Sequence, residues 1–353
     1  MLKKSSFLMA ILTVMLLGGL LVSCTGDQEA LGPPAGSDDD PQDEDPQEPA
    51  EPVDYEALGV NELGQIMFLM YHEIGEPEAE WVRTPDNFRK DLQALYEAGY
   101  RAVSLNDVLD GNIDVPAGTT PVVITFDDST PGQFRFIEEN GRLVVDPDCA
   151  VGILEEFHRQ HPDFGLAATF FIIAVAPFGQ EKYVQQKLDY LVEKGFEIGS
   201  HTYSHPYPGL GGLSPEKARQ ELAYFIKWKD QYLPDYRVRS LALPYGTYPK
   251  DMSYIIRGEY EGIGYHNEGI FLVGANPAPS PFSGAFRPEA IPRVRASEMN
   301  TEGTGIYDQM QRFQENLQAR YISDGDPNTV VIPEKLAGEL KPGLEKEKTI
   351  ITY

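Results

Sequence analysis

Short apolar runs, each four to six residues long, recur along this chain from residue 66 to residue 294, and helical patterns separate them. The runs at 66–71, 122–126 and 168–173 are apolar at nearly every position, as strands buried on both faces must be. Further strand-like runs lie at 101–105, 196–199, 240–243, 270–273 and 290–294. Between them, Thr84-Pro85 supplies an N-cap and a first-turn proline, Phe88, Leu92 and Leu95 recur at helical spacing, and Gly99 closes the pattern. Val151, Leu154 and Phe157 share one helical face. Val184, Leu188, Leu191 and Val192 mark another helix, which Gly195 ends. Ser214-Pro215 opens a long helix to about Tyr232, and a last helical stretch covers 307–321. Strands alternating with helices predict parallel pairing through helical crossovers. Over residues 59–353 the economical arrangement is a single α/β barrel.

One segment breaks the alternation. Residues 133–145 read as two alternating runs about Asn140-Gly141, the dipeptide that favours a two-residue hairpin turn. The hairpin follows the 122–126 run, so it is expected on the face where barrel strands end.

The amino end reads as a targeting segment. Lys3 and Lys4 precede an apolar run at 7–22, and no comparable run follows. It ends in Leu21-Val22-Ser23-Cys24, which resembles the lipobox of bacterial lipoproteins. That resemblance implies a signal peptide over 1–23 and a diacylglycerol on Cys24. It also implies a protein anchored on the extracellular face of the cytoplasmic membrane. Residues 25–54 hold eleven acids, six prolines and no Lys or Arg, so 24–58 is expected to be a disordered tether. The folded domain is expected over 59–353, with a core at about 65–300 and an extension at 301–353.

Charge removes several function classes. With 29 Lys and Arg against 55 Asp and Glu, the net charge is −26, which argues against nucleic acid and against an anionic lipid surface as partners. Two cysteines, Cys24 and Cys149, exclude a disulfide scaffold. Once Cys24 carries lipid, Cys149 stands unpaired.

The chemistry lies at three strand ends. Thr125-Phe126-Asp127-Asp128 ends the 122–126 run. Adjacent carboxylates at a buried strand end resist joint ionisation, a cost that a neighbouring cation removes. His201-Thr202-Tyr203-Ser204-His205 follows the 196–199 run. On a helical turn, residues i and i+4 share a face, and two imidazoles with one carboxylate make the N2O set of a catalytic zinc site. Leu243-Pro244-Tyr245-Gly246 follows the 240–243 run as a tight turn whose backbone N–H groups suit an oxyanion. Taken singly, the Asp pair reads equally as a helix cap and the Pro-Tyr-Gly segment as a plain turn.

In this order and spacing the three segments resemble the polysaccharide deacetylase family, carbohydrate esterase family 4. The motif T-F-D-D matches Thr125 to Asp128, H-[ST]-x-x-H matches His201 to His205, and R-x-P-Y-G matches in part at Pro244-Tyr245-Gly246. The resemblance implies a distorted (β/α) barrel of about seven parallel strands. It implies a divalent metal, zinc first with cobalt, nickel or manganese as alternatives, held by Asp128, His201 and His205. Asp127 is then the general base, and Pro244 and Tyr245 form the substrate and oxyanion turn. The implied activity is removal of N-acetyl groups from peptidoglycan or a poly-N-acetylglucosamine-type polysaccharide. An O-acetyl esterase on xylan-like glycans and a glycan-binding protein on a decayed scaffold are the alternatives.

The sequence departs from the family pattern at four places. Ala242 stands where the motif-three arginine is expected, and Ser129 where a glycine usually follows the Asp pair. No histidine follows His266, so the late L-x-H acid has no counterpart, and the motif-four tryptophan is missing, Trp81 and Trp228 being the only two. His72, directly after the 66–71 run, is the expected substitute acid, on the face that carries Asp128 and His201.

Overall fold

The computed structural model describes residues 53–353, and the expected signal peptide, Cys24 and most of the acidic tether lie outside them. Among the described residues no helix is long and apolar enough to cross a membrane. Eight parallel strands form the central sheet: β1 (Met67–Tyr71), β2 (Tyr100–Ala102), β3 (Thr120–Phe126), β4 (Thr169–Ile172), β5 (Glu197–Ser200), β6 (Ser240–Ala242), β7 (Gly269–Phe271) and β8 (Val294–Arg295). Seven run in the order β7-β6-β5-β4-β3-β1-β8, and β2 pairs with the first half of β3. The sheet curls into a half-barrel: the parallel α/β architecture that the alternation predicted, and the distortion that the resemblance implied. A parallel bridge between Phe271 and Ile291 ties β7 to the segment leading into β8.

Period-two alternation sorts the strand residues. Met67, Leu69, Tyr71, Val122, Ile124, Phe126, Phe170 and Ile172 pack in one buried cluster with the crossover helices, through Phe88, Leu92, Val151, Leu154, Leu188 and Leu191. Phe68, Val123, Phe171, Ala242 and Phe271 form a second cluster inside the curl. Asp127 shares the parity of Val123 and Thr125, which aims it inward.

Several boundaries differ from the sequence reading. The strand expected at 101–105 ends at Ala102, because Ser104 caps a short helix at Leu105–Asp110 with its Oγ accepting from Asp107 N. Glu197, at the start of β5, then accepts from Leu105 N, Asn106 N, Ser104 Oγ and Thr169 Oγ1. The runs at 270–273 and 290–294 give only Gly269–Phe271 and Val294–Arg295 as strand. The helices expected to reach Tyr232 and Tyr321 stop at Lys229 and Glu315. At the other end of the domain Asp54 caps a helical turn at Tyr55–Leu58, inside the span expected as tether.

The last fifty residues carry more structure than the sequence showed. Thr329–Ile332 and Thr349–Thr352 pair in parallel, and Tyr321, Val330, Ile332 and Leu344 join the cluster inside the curl. Glu62 stitches this segment to the start of the domain, its carboxyl accepting from Tyr321 OH and from Val331 N, each at 2.8 Å.

The hairpin forms as expected. Phe136–Glu139 pairs antiparallel with Arg142–Val145 about Asn140 and Gly141, both with positive φ. It stands between β3 and the helix Ala150–Gln160.

Candidate active site

Strand register sets the site. Tyr71 pairs with Phe126, and Asp127 N donates to Tyr71 O at 2.9 Å, so His72 and Asp127 are level at adjoining strand ends. The Gln133 side-chain amide donates to the carbonyls of both His72 (2.7 Å) and Asp127, clasping the two strand ends together.

Asp128 leaves the strand with φ +74, and Ser129 follows with φ +45. The left-handed region is costly for both, and local bonds compensate. Ser129 Oγ accepts from Ile173 N and donates to Ala176 O, while Ser129 O accepts from Phe178 N. The serine thus occupies a glycine-like conformation helped by two hydroxyl bonds that a glycine lacks.

Asp128, His201 and His205 converge, with ligand atoms within 4.8 Å of one another. Asp128 Oδ1 lies 3.2 Å from His201 Nε2 and 3.5 Å from His205 Nε2. The histidines do not share a helical turn as expected. Residues 201–205 form an irregular loop, with Thr202 at φ +69 and His205 at φ +55, held by Thr202 N to Ser200 Oγ and His205 N to Thr202 Oγ1. Convergence comes from loop geometry rather than from helical periodicity.

The protonation pattern favours a cation. His201 Nδ1 lies 2.9 Å from Ala242 O, and a carbonyl only accepts, so Nδ1 carries a proton and Nε2 is the nitrogen turned to Asp128, open to a cation in the neutral ring. Burial alone would lower the His201 pKa, but Asp127 and Asp128 lift it above the ordinary imidazole value. Asp128 is likewise held below the usual carboxylate range despite its burial, by His201. Two imidazole nitrogens and a carboxylate oxygen facing one space, with the second nitrogen of one ring tied to a carbonyl, fit a divalent metal ion.

Asp127 is sealed from solvent and gripped by Arg293, itself fully buried. Arg293 Nη1 meets Asp127 Oδ1 at 2.7 Å and Nη2 meets Oδ2 at 2.6 Å. Burial would raise the Asp127 pKa, but the guanidinium holds it far below the carboxylate range. Arg293 is completed by Nε to Leu272 O, Nη1 to Thr125 Oγ1, and the Phe171 ring beneath it. Sequence reading missed this residue; the available signal was an arginine directly before the β8 pair in an otherwise apolar run.

His72 is packed edge-on to Trp81, with ring centroids 4.6 Å apart. Burial pushes its pKa below the ordinary imidazole value, against the opposing pull of Asp127 and Asp128. His266, by contrast, sits in an antiparallel pair beside Arg257 and Glu268. Pro244 and Tyr245 form a single turn directly after β6, with Tyr245 at φ +57 and its ring 4.6 Å from His205.

Residues 114–259 match the family model described as polysaccharide deacetylase. The matched stretch takes in Asp127, Asp128, His201, His205, Pro244 and Tyr245, and that part of the chain is similar to this family. None of the curated proteins compared with it matches. Among solved structures it resembles the Streptococcus pyogenes deacetylase PplD in complex with acetate, at 22% identity and TM-score 0.50, over 67% of this chain and 95% of that one. IcaB from Ammonifex degensii matches at 20% identity and TM-score 0.50, over 70% and 97%. BC0361, a polysaccharide deacetylase from Bacillus cereus, matches at 17% identity and TM-score 0.51, over 71% and 68%. At these identities the likeness establishes a shared fold.

Proposed function

We propose that this chain is a metal-dependent N-deacetylase of peptidoglycan or a poly-N-acetylglucosamine-type polysaccharide, held at the outer face of a bacterial cytoplasmic membrane through lipid on Cys24. The observation that carries the catalytic reading is Asp127, an ionised carboxylate pinned by Arg293 directly beside the Asp128, His201 and His205 cluster. Those three residues would hold the ion, zinc being the first choice for an N2O set. When bound, such an ion polarises an acetyl carbonyl and lowers the pKa of a water from about 15.7 to about 7.

The remaining steps belong to the chain's own groups. Asp127 accepts the proton of the attacking water, and Arg293 keeps its carboxylate aimed while it does so. The Tyr245 N–H donates to the developing oxyanion. His72, level with Asp127 at the adjoining strand end, passes on to the leaving amine the proton that Asp127 has taken from the water, the role left open by the missing late histidine. The lipid anchor rests on the apolar run and on Ser23-Cys24.

The test is metal analysis together with acetate release from N-acetylglucosamine oligomers, peptidoglycan and acetylxylan. Metal bound at one per chain and acetate from the N-acetylated substrates are expected. Release from acetylxylan alone would replace the reading with the O-acetyl esterase.

A further inference from the structure

Next to the ion-binding cluster stands a pair of aromatic rings that the fold does not bury. Tyr207 is 82% exposed and Tyr245 is 51% exposed. Their ring centroids lie 5.6 Å apart, edge to face, and Tyr245 in turn packs on His205. Single exposed apolar residues are ordinary, but these two touch each other and run without a break into a site lined by functional groups.

The backbone beneath them is rigid. Thr247 Oγ1 donates to Pro208 O at 2.8 Å, joining the loop after β5 to the turn after β6. A Cβ on Gly209 would fall 2.1 Å from Thr247 Oγ1 and 2.5 Å from Pro244 O, and one on Gly211 would fall 2.6 Å from Tyr248 O. The two loops therefore approach as closely as backbone allows. Tyr245 is held there in the left-handed region, a cost that glycine would avoid. Exposed rings on a clasped, strained backbone beside a catalytic cluster are preorganised for a ligand rather than for the core.

We propose that Tyr207, braced by Tyr245 across the edge-to-face contact, is a stacking platform for the sugar unit next to the one losing its acetyl group. The proposal rests on the deacetylase reading of the adjoining cluster and assigns its substrate class. Aromatic faces pack well against flat apolar surfaces and tolerate a wet rim. In a pyranose whose substituents are all equatorial, the axial C–H bonds supply such a face, as in β-linked hexosamine chains. With 55 acidic against 29 basic side chains, the chain repels polyanionic glycans, which of the two proposed substrates favours the uncharged poly-N-acetylglucosamine type over peptidoglycan with its peptide carboxylates. The enzyme is therefore selective for length: a single sugar reaches the ion-binding cluster but leaves the platform empty.

The test compares the unmodified protein with Tyr207→Ala and Tyr207→Phe. Substrates are β-1,4-linked N-acetylglucosamine oligomers of one to five units and p-nitrophenyl acetate, with metal content measured throughout. For the unmodified protein, kcat/KM should rise from one unit to two or three. Tyr207→Ala should lose about tenfold on the pentamer through KM, with metal content and p-nitrophenyl acetate turnover unchanged, and Tyr207→Phe should restore the rise. Affinity electrophoresis through glycol chitin gives a readout without turnover: the unmodified protein and Tyr207→Phe should be retarded, and Tyr207→Ala should run free. Undiminished length dependence or retardation in Tyr207→Ala overturns the platform, as does a lack of retardation in the unmodified protein. Retardation that needs Tyr207, in a protein releasing no acetate, keeps the platform and sinks the deacetylase reading instead.

Discussion

Arg293 and Asp127 meet fork to fork, 166 residues apart in the chain and closed off from solvent. Two parallel N–H to carboxylate bonds fix both the position and the rotation of the carboxylate, which one ammonium cannot do. The guanidinium arrives from the approach to β8, two strands away from the site's own β3 in the sheet order.

Arg293→Lys should lower kcat about a hundredfold with metal content unchanged, the cost of a base misaimed by about an ångström. Arg293→Ala leaves a buried carboxylate without its partner and should destabilise the domain by about 3–5 kcal/mol in chemical denaturation. Full activity in Arg293→Lys would show that a charge alone suffices.

The two adjacent aspartates should fail in different ways. Asp128→Ala removes the anionic ligand and should strip the metal, read directly by elemental analysis. Asp127→Asn preserves the three ligands and should retain the metal while acetate release falls to background. Near-normal turnover in metal-loaded Asp127→Asn would refute its role as base.

His72→Ala should slow release from N-acetyl substrates more than from activated O-acetyl esters, because only the amine leaving group needs a proton. An equal loss on both substrates would make His72 a binding or packing residue against Trp81.

Glu62 predicts a pH dependence away from the site. Burial, reinforced by Asp324, pushes its folded pKa up from 4.5 to about 8. Below about pH 4.5 the group is protonated in both states and its contribution is complete. Between about 4.5 and 8 unfolding releases its proton, so this contribution falls as pH rises and is exhausted above about 8. Glu62→Gln, which can still meet Tyr321 and Val331, should flatten the decline in Tm over that window. Parallel Tm profiles for the two proteins would mean that Glu62 is ionised in the fold.

What could be read from the sequence depended on whether the information was local. The run through Val122 and Val123 to Phe126 announces a buried strand, and Asp127 and Asp128 must then stand at its end. Asn140-Gly141 specifies its hairpin because the turn needs two residues at positive φ. The histidine pair was visible by its spacing, but its geometry was not: 201–205 is shaped by Ser200 and Thr202 side chains rather than by a helical period. Arg293 stands out as a charge in an apolar run, but nothing near it in sequence marks Asp127 as its partner. The parallel pairing of Thr329–Ile332 with Thr349–Thr352 was missed for the same reason, since the two segments are short and neither forms a strand alone.

His201 is oriented by the carbonyl oxygen of Ala242, an atom every residue type carries. Identity at position 242 is therefore free to drift without retuning the ligand, limited only by the room left beside Phe171 and Phe271. Orientation of His201 and aiming of Asp127 are thus carried by different strands, a backbone carbonyl on β6 and an arginine ahead of β8. A search pattern that demands arginine at position 242 would pass over this chain, although its buried carboxylate is held by a fork from elsewhere in the sheet.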